Sequence, residues 1–372
     1  MMNQPTYLIF NPVSGQGDAD REISLIKEYL SSKLELKIKY TTKEISAKQL
    51  THEAIKAGAS CIIASGGDGT VSEVAEALVG TDISLGVIAR GTANAFANAL
   101  HIPDTIEEAC QTILDRNQRR IDVAKCNGKL MILLAGIGFE AETVDKTSRE
   151  MKDQLGMLAY FISGLNELQN LENFEAELET DDKIIHVEAA AITVANIAPA
   201  SSILAQGPAG IVIDDGLLDV TIVSPKNQLS AIAASYHLFQ SAANDEKAQR
   251  DDIGYLRTRR ITIKTNPNQK IAIDGEMEGE TPIEIECLPK KLTVLVSQNL
   301  SEECPEKLEG LPGLRIENKT DKTEDKLEEN VDSDYAMEII NPPENTNDTF
   351  EENETIIESI ADYIEITDDR TK

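Results

Sequence analysis

SCIIASGGDGTVSEVAEAL, Ser60–Leu78, is the stretch whose reading decides the fold. Cys61, Ile62, Ile63 and Ala64 form a short apolar run that reads as a buried strand. The run ends in Ser65-Gly66-Gly67-Asp68-Gly69-Thr70, and Val71, Val74, Ala75 and Leu78 then recur at helical spacing. Strand, glycine turn and helix start form the layout of a phosphate site in an α/β sheet. Glycine lets the backbone approach an anion closely, and the helix start offers free N–H groups and the positive end of its dipole. Thr70 and Asp68 are candidate caps for that helix. The same layout also serves as a tight βα turn with no ligand. An acid facing phosphates makes sense when a cation or a hydroxyl nucleophile lies between them, which singles out Asp68.

The same pattern extends to both sides. Tyr7–Phe10 is an apolar run ending in Asn11-Pro12-Val13-Ser14-Gly15, a second polar turn at a strand end. Ile23–Leu30 and Ser46–Ala57 have helical spacing, with an alternating strand over Leu34–Tyr40 between them. Ser84–Ile88 is a further strand, followed by Ala89-Arg90-Gly91-Thr92-Ala93-Asn94 and helices over Ala95–Leu100 and Ile106–Leu114; Arg119–Ala124 closes the unit. Alternating β and α elements predict a doubly wound parallel sheet with ligands beyond the carboxyl ends of its strands. Three polar loops, 11–17, 65–70 and 89–94, fall at that edge.

After residue 124 the character changes. Strands are expected over Lys129–Leu134, Phe174–Glu179, Ile184–Val194, Leu218–Val223, Arg260–Thr265, Gln269–Ile273, Ile283–Leu288 and Leu292–Ser297, with helices only over Gly156–Leu168 and Gln228–Ala243. The expectation is three regions: an α/β nucleotide-binding domain over 1–124, a β-rich, sandwich-like domain over 125–300, and an acidic, mostly disordered tail over 301–372.

Composition sets further bounds. The chain has 372 residues, 41% hydrophobic, and a net charge of −30. From Ser301 onward 23 acids face 7 bases, so −16 of that charge lies in the tail and −14 in the rest. Low hydrophobicity with dense acid is the signature of disorder; Ile356, Ile357, Ile360, Tyr363 and Ile364 could still form a short amphipathic helix there. The charge argues against a nucleic-acid partner. No apolar run approaches the ~20 residues that span a bilayer, and Met1–Pro12 lacks a basic region and a long apolar stretch. Five scattered cysteines and four scattered histidines suggest a reduced, cytoplasmic protein without structural zinc.

Six motifs now fall in order: Asn11-Pro-Val-Ser-Gly15, Gly66-Gly-Asp-Gly-Thr70, Gly91-Thr-Ala-Asn94, Ala135-Gly-Ile-Gly-Phe139, Asp214-Asp-Gly-Leu-Leu-Asp219 and Asp274-Gly-Glu276. This set resembles the diacylglycerol kinase catalytic-domain family, in particular soluble bacterial lipid kinases of the YegS type, over residues 5–300. The resemblance implies an ATP-binding α/β domain, a β-rich second domain, and transfer of the γ-phosphoryl group of ATP to a lipid hydroxyl in the cleft between them. It assigns nucleotide contacts to Asn11, Pro12, Val13, Ser14, Gly15, Thr41, Gly66, Gly67, Asp68, Gly69, Thr70, Val71, Ser72, Glu73 and Thr92. It makes Glu276 the catalytic base and places a structural magnesium ion on Asp214, the Leu217 carbonyl and Asp219. Five-residue spacing across Asp215-Gly216 suits one hard cation; it equally suits a hairpin turn with solvated acids.

No Walker lysine is present, so backbone N–H groups and Mg²⁺ must carry the phosphate charge, with Asp68 as the expected organiser of catalytic Mg²⁺. Asn94-Ala95 departs from the Asn-Asp common in the family and is similar to sphingosine kinases at that point. Diacylglycerol is the first substrate candidate. A sphingoid-base, ceramide-like or other glycerolipid kinase, and a weakly active ATP-binding regulator, are the alternatives. Asp122 is a second candidate for the acidic network. Arg250, Arg257, Arg259 and Arg260 read either as a solvated strand or as a patch facing anionic lipid. A peripheral membrane visit to reach the lipid is expected; a homodimer and a partner for the acidic tail stay open.

Overall fold

The computed structural model describes residues 5–15, 17–138, 173–198, 212–225, 250–297 and 308–319. The first half contains β1 (Thr6–Phe10), α1 (Ala19–Leu30), β2 (Leu36–Tyr40), α2 (Ala47–Lys56), β3 (Cys61–Gly66), α3 (Asp68–Leu78), β4 (Ser84–Ala89), α4 (Ala95–Ala99) and α5 (Ile106–Asp115). The second contains β5 (Gln118–Cys126), β6 (Lys129–Met131), β7 (Leu134–Gly138), β8 (Phe174–Glu179), β9 (Lys183–Ala189), β10 (Ala191–Ala195), β11 (Leu218–Val223), β12 (Ile253–Thr258), β13 (Arg260–Asn266), β14 (Lys270–Ile273), β15 (Glu276–Glu280), β16 (Ile283–Leu295) and β17 (Arg315–Asn318).

The parallel part of the sheet has the order β4-β3-β1-β2. From β1 the chain passes outward to β2, then returns across β1 to β3. The order therefore reverses between β1 and β3, and the crevice at such a switch point is where open α/β sheets bind ligands. Helices cover both faces, as expected. Leu8, Phe10, Ile63 and Ile88 bury against Ile23, Ile26 and Leu30 of α1 and Ile113 of α5. On the other face Ile9, Ile62, Ala64 and Val87 share a core with Leu50 of α2, Val71, Val74 and Leu78 of α3 and Phe96 of α4. Each large side chain so buried is worth ~1.5–3 kcal/mol. Asp18, Ser46 and Thr105 each accept backbone N–H bonds at the starts of α1, α2 and α5.

The second half is a sandwich. Leu178, Ile185, Val187, Ile261 and Ile285 of the large sheet face Ile137, Ile192, Val194, Val220 and Leu256 of a six-stranded sheet ordered β12-β11-β10-β7-β14-β15. The large sheet has 11 strands and belongs to both halves. In it β16 pairs with β5 along most of its length and ends parallel to β4, where Val294 meets Leu85. The border expected at residue 124 thus falls inside β5. Leu292, Val294 and Val296 complete the core of the first half.

Several expectations are corrected. Residues 184–194 are two strands in different sheets, parted at Ala190, whose N–H bonds the Val223 carbonyl at 2.8 Å. Residues 283–297 contain one strand rather than two, and β12 and β15 were not anticipated. The tail expected over 301–372 includes a folded piece: Leu308 and Leu311 bury in the sandwich core, and β17 pairs antiparallel with β9. Leu311 lies so close to Gly254 that a β-carbon there would collide with it. The high acid content of the region hid the Leu308, Leu311, Leu314 spacing. The helices expected over 156–168, 228–243 and 356–364 lie outside the described residues.

Candidate active site

The three polar loops meet at the switch point. Asn11 N–H donates to the Ser65 carbonyl at 2.9 Å, and Asn11 Nδ2 donates to Thr70 Oγ1 at 3.0 Å, joining the turn after β1 to the turn after β3. Arg90 N–H donates to the Gly66 carbonyl at 2.8 Å, which brings in the turn after β4. A β-carbon on Gly91 would lie 2.8 Å from the Gly67 α-carbon, so these two glycine turns touch backbone to backbone. Asn94 takes a left-handed conformation (φ 47°), and its Oδ1 accepts the Gly91 N–H at 2.8 Å.

Neither expected cap serves α3. Its N-cap is Gly67, with no side-chain bond to the helix start. Thr70 is held by Asn11 instead. The Asp68 carboxylate faces α4, accepting the Phe96 N–H at 3.4 Å. Burial pushes the Asp68 carboxyl up, opposed by the N–H groups of Phe96, Ala95 and Asn94. The result is a helix start without a side-chain cap, lined by glycine, with one half-buried carboxylate beside it. Thr41 closes the neighbouring strand end, its N–H on the Phe10 carbonyl at 3.0 Å. Val71 is buried in the core, which leaves only its backbone for a ligand. Glu73 Oε2 accepts the Lys48 N–H at 3.0 Å, so this acid supports the start of α2. Val13, at the tip of the first loop, is 89% exposed.

Glu276 begins β15, directly after a tight turn in which Asp274 (φ 49°) and Gly275 (φ 84°) are both left-handed. The turn is anchored by Asp274, whose carboxylate accepts the N–H groups of Ile132 (2.9 Å), Leu133 (2.8 Å) and Leu134 (3.1 Å). Ile132 and Leu133 belong to the same core as Phe96 and Val71. Glu276 is solvent-exposed and, among the described residues, makes no hydrogen bond or ion pair with the three glycine loops.

The residues expected to share a structural cation go to separate partners. Asp214 forms a two-pronged pair with Arg119, Nε at 2.9 Å and Nη2 at 3.0 Å. Arg257 pairs with Asp215, and its Nε lies 3.3 Å from Asp219 Oδ1, which also accepts the Tyr255 hydroxyl. Leu217 N–H bonds Asp215 Oδ1 at 2.9 Å. Two guanidiniums thus lie against the three aspartates, while Asp219 Oδ2 is buried without a hydrogen-bond partner among the described residues. Burial pushes the Asp219 carboxyl up to about 7, opposed by the Tyr255 hydroxyl. Asp122 ties the turn to the sheet: its carboxylate accepts the N–H groups of Gly216 (2.6 Å) and Lys290 (2.7 Å). Of the four arginines read as a membrane patch, Arg257 is paired as above, Arg250 with Asp252 at 2.8 Å and Arg260 with Glu286 at 2.9 Å. Much of their charge is neutralised locally.

The profile of the diacylglycerol kinase catalytic domain matches residues 5–126, and that of the YegS C-terminal NAD kinase beta sandwich-like domain matches residues 134–296. An uncharacterized protein of Synechocystis sp. is 46% identical over 299 residues, covering 77% of this chain and 69% of its own. The chain belongs to the diacylglycerol kinase catalytic-domain family. A diacylglycerol kinase of Bacillus subtilis is 29% identical over 302 residues, covering 80% of this chain and 97% of its own. A Bacillus anthracis structure provisionally named a diacylglycerol kinase aligns with a TM-score of 0.66 at 27% identity, over 79% of this chain and 97% of that one. This family member is a kinase that phosphorylates a lipid hydroxyl. No described helix is long and apolar enough to cross a membrane.

Three residues that organise the site were not read from sequence as doing so. Arg90 lies between two glycine motifs, and Asp274 looks like an ordinary turn acid. Arg119 opens a strand 95 residues from its partner Asp214. Their type was visible, but the partners that give them meaning are distant in the chain.

Proposed function

We propose that this kinase transfers the γ-phosphoryl group of ATP to the hydroxyl of a diacylglycerol, with Glu276 as general base. The observation that carries the reading is the junction of three glycine turns at the switch point beside the open start of α3. There the triphosphate meets N–H donors and a positive helix end. Mg²⁺ commonly takes only one or two carboxylates when phosphates and water complete its shell. Among the described residues no cluster of three ligating side chains occurs, and Asp68 alone meets that smaller requirement. The bound ion would neutralise charge on the transferring group. The chain's own contribution is orientation of the nucleotide by the loops and acceptance of the hydroxyl proton by Glu276, which the Asp274 anchor holds on a short rigid hairpin.

A second reading, a sphingoid-base kinase, draws on Ala95. The carboxylate common at this position is missing, and Asp68 faces the start of α4. The test is transfer of label from ATP to a lipid panel containing diacylglycerol, sphingosine, ceramide and monoacylglycerol. Label on diacylglycerol, reduced ~100-fold or more in Glu276→Gln with ATP binding kept, supports the proposal. Label on sphingosine alone moves the substrate to the second reading. No label on any lipid, despite ATP binding, defeats both.

A further inference from the structure

We infer that Arg90 is a positioning residue for the nucleotide: it sets the posture of the 11–15 loop and does not act as a cation on the phosphates. The inference rests on the ATP reading above. A chain without a phosphate-binding lysine, carrying an arginine between Ala89 and Gly91 where three loops meet, invites the opposite assignment. The geometry excludes it. The Arg90 side chain is only 2% exposed. Its Nε donates to Glu22 Oε2 at 2.7 Å, Nη1 to the Asn11 carbonyl at 3.0 Å and Nη2 to the Ser14 carbonyl at 2.8 Å. The guanidinium plane lies over the Phe10 ring, 4.1 Å from its centroid. Glu22 neutralises the charge, and all three nitrogens of the fork have partners.

What Arg90 does instead follows from which atoms it holds. A carbonyl oxygen facing a triphosphate repels it. By drawing the Asn11 and Ser14 carbonyls down onto a buried guanidinium, Arg90 takes two negative dipole ends away from the anion. Gly15 makes the close approach feasible: its φ is +95°, and a β-carbon there would lie 3.1 Å from the Arg90 carbonyl oxygen and 3.6 Å from Nη2. The Arg90 backbone meanwhile bonds Gly66. One residue thus fixes the first glycine loop against the second. Lysine cannot replace it, because a single ammonium cannot span two carbonyls and a carboxylate in one plane.

The experiment uses the full chain. ATP affinity is measured by calorimetry, steady-state kinetics are measured against ATP and against lipid, and amide exchange is followed in the 11–15 loop. For Arg90→Lys, Kd and KM for ATP rise about 10-fold or more, while kcat and the lipid KM stay within about 3-fold, the pattern of lost ground-state nucleotide binding. Exchange accelerates in the loop and not in α2 or the sandwich. Glu22→Gln, which leaves both carbonyl contacts in place, raises KM for ATP by a smaller factor, with kcat kept. It also decides the matter if the lysine variant does not fold. Arg90→Lys with unchanged ATP affinity, or with lowered kcat at an unchanged KM for ATP, overturns the inference, as does Glu22→Gln with an unmoved KM. A wild-type protein that binds no ATP overturns the proposed function and this inference together; wild-type binding matched by the lysine variant overturns this inference alone.

Discussion

The turns at 66–70 and 214–219 both combine glycine with aspartate, and both are candidates for holding phosphate or metal. They use it differently. The first is built almost wholly from backbone. Gly67 and Gly91 touch, α3 begins without a side-chain cap, and the one carboxylate, Asp68, turns to α4. The second is built from side chains. Arg119, Arg257 and Tyr255 take up Asp214, Asp215 and Asp219. Backbone donors held by sterics can stay open to a ligand, because nothing in the loop competes for them. Carboxylates that face arginines, as Asp219 faces Arg257 directly across the β11–β12 pair, are already engaged by charge. The difference lies in the surrounding charges, which the local motif does not record.

The comparison can be broken at either turn. The largest effect is expected at Gly91. Alanine there places a β-carbon 2.8 Å from Gly67 and pushes the two loops apart; about 1 Å of displacement costs ~100-fold in kcat/KM for ATP, read in steady-state assays. If Gly91→Ala keeps wild-type kinetics, the backbone contact does not shape the site. Next is Arg257→Met, which strands the half-buried Asp215 and the buried Asp219. A loss of ~3–5 kcal/mol in denaturant unfolding is expected for removing one partner of a buried pair, whereas EDTA should leave the wild-type melting temperature where it is. A wild-type melting temperature that falls with EDTA would return the turn to a cation.

A chain ending at 300 should be less stable than one ending at 319, by ~3 kcal/mol for Leu308 and Leu311 together. Equal denaturation midpoints would mean that β17 adds nothing. The smallest effect concerns pH. The Asp219 carboxyl titrates at about 7 in the fold and at ~3.9 unfolded. A raised value means the folded chain binds the proton more tightly. This contribution is full below the unfolded value and is lost as pH rises through about 7. Wild type should therefore lose ground to Asp219→Asn between acid and mildly alkaline pH, by ~1 kcal/mol, with Arg257 opposing the full effect. A constant difference in melting temperature across that range would contradict it.

The first half of the fold was legible because its signals are local. Apolar runs of four to six residues ending in glycine turns, and helices spaced by three and four, name a doubly wound sheet without reference to anything distant. β12 was missed because Arg257 sits in it, and a buried arginine is intelligible only beside Asp215 and Asp219. β15 was missed because all its residues are exposed. At the site, residue types were readable and directions were not. Asp68 was recognised as significant, but its turn toward α4 depends on a helix 27 residues later. The resemblance assigns Glu73 to the nucleotide; its bond to the Lys48 N–H at the start of α2 cannot be read from the local sequence.

The shared strand β16 has a consequence for how the molecule is made. Synthesis delivers the nucleotide half first, yet on its own that half ends in an unprotected sheet edge at β4, and part of its core waits for Leu292, Val294 and Val296. An exposed edge strand is a template for wrong pairing. Until residue 295 or so leaves the ribosome, the catalytic loops rest on an unfinished sheet. A strand of the second half seals the edge of the first, and the ability to hold a nucleotide firmly should emerge only once β16 has been made and has paired with β4.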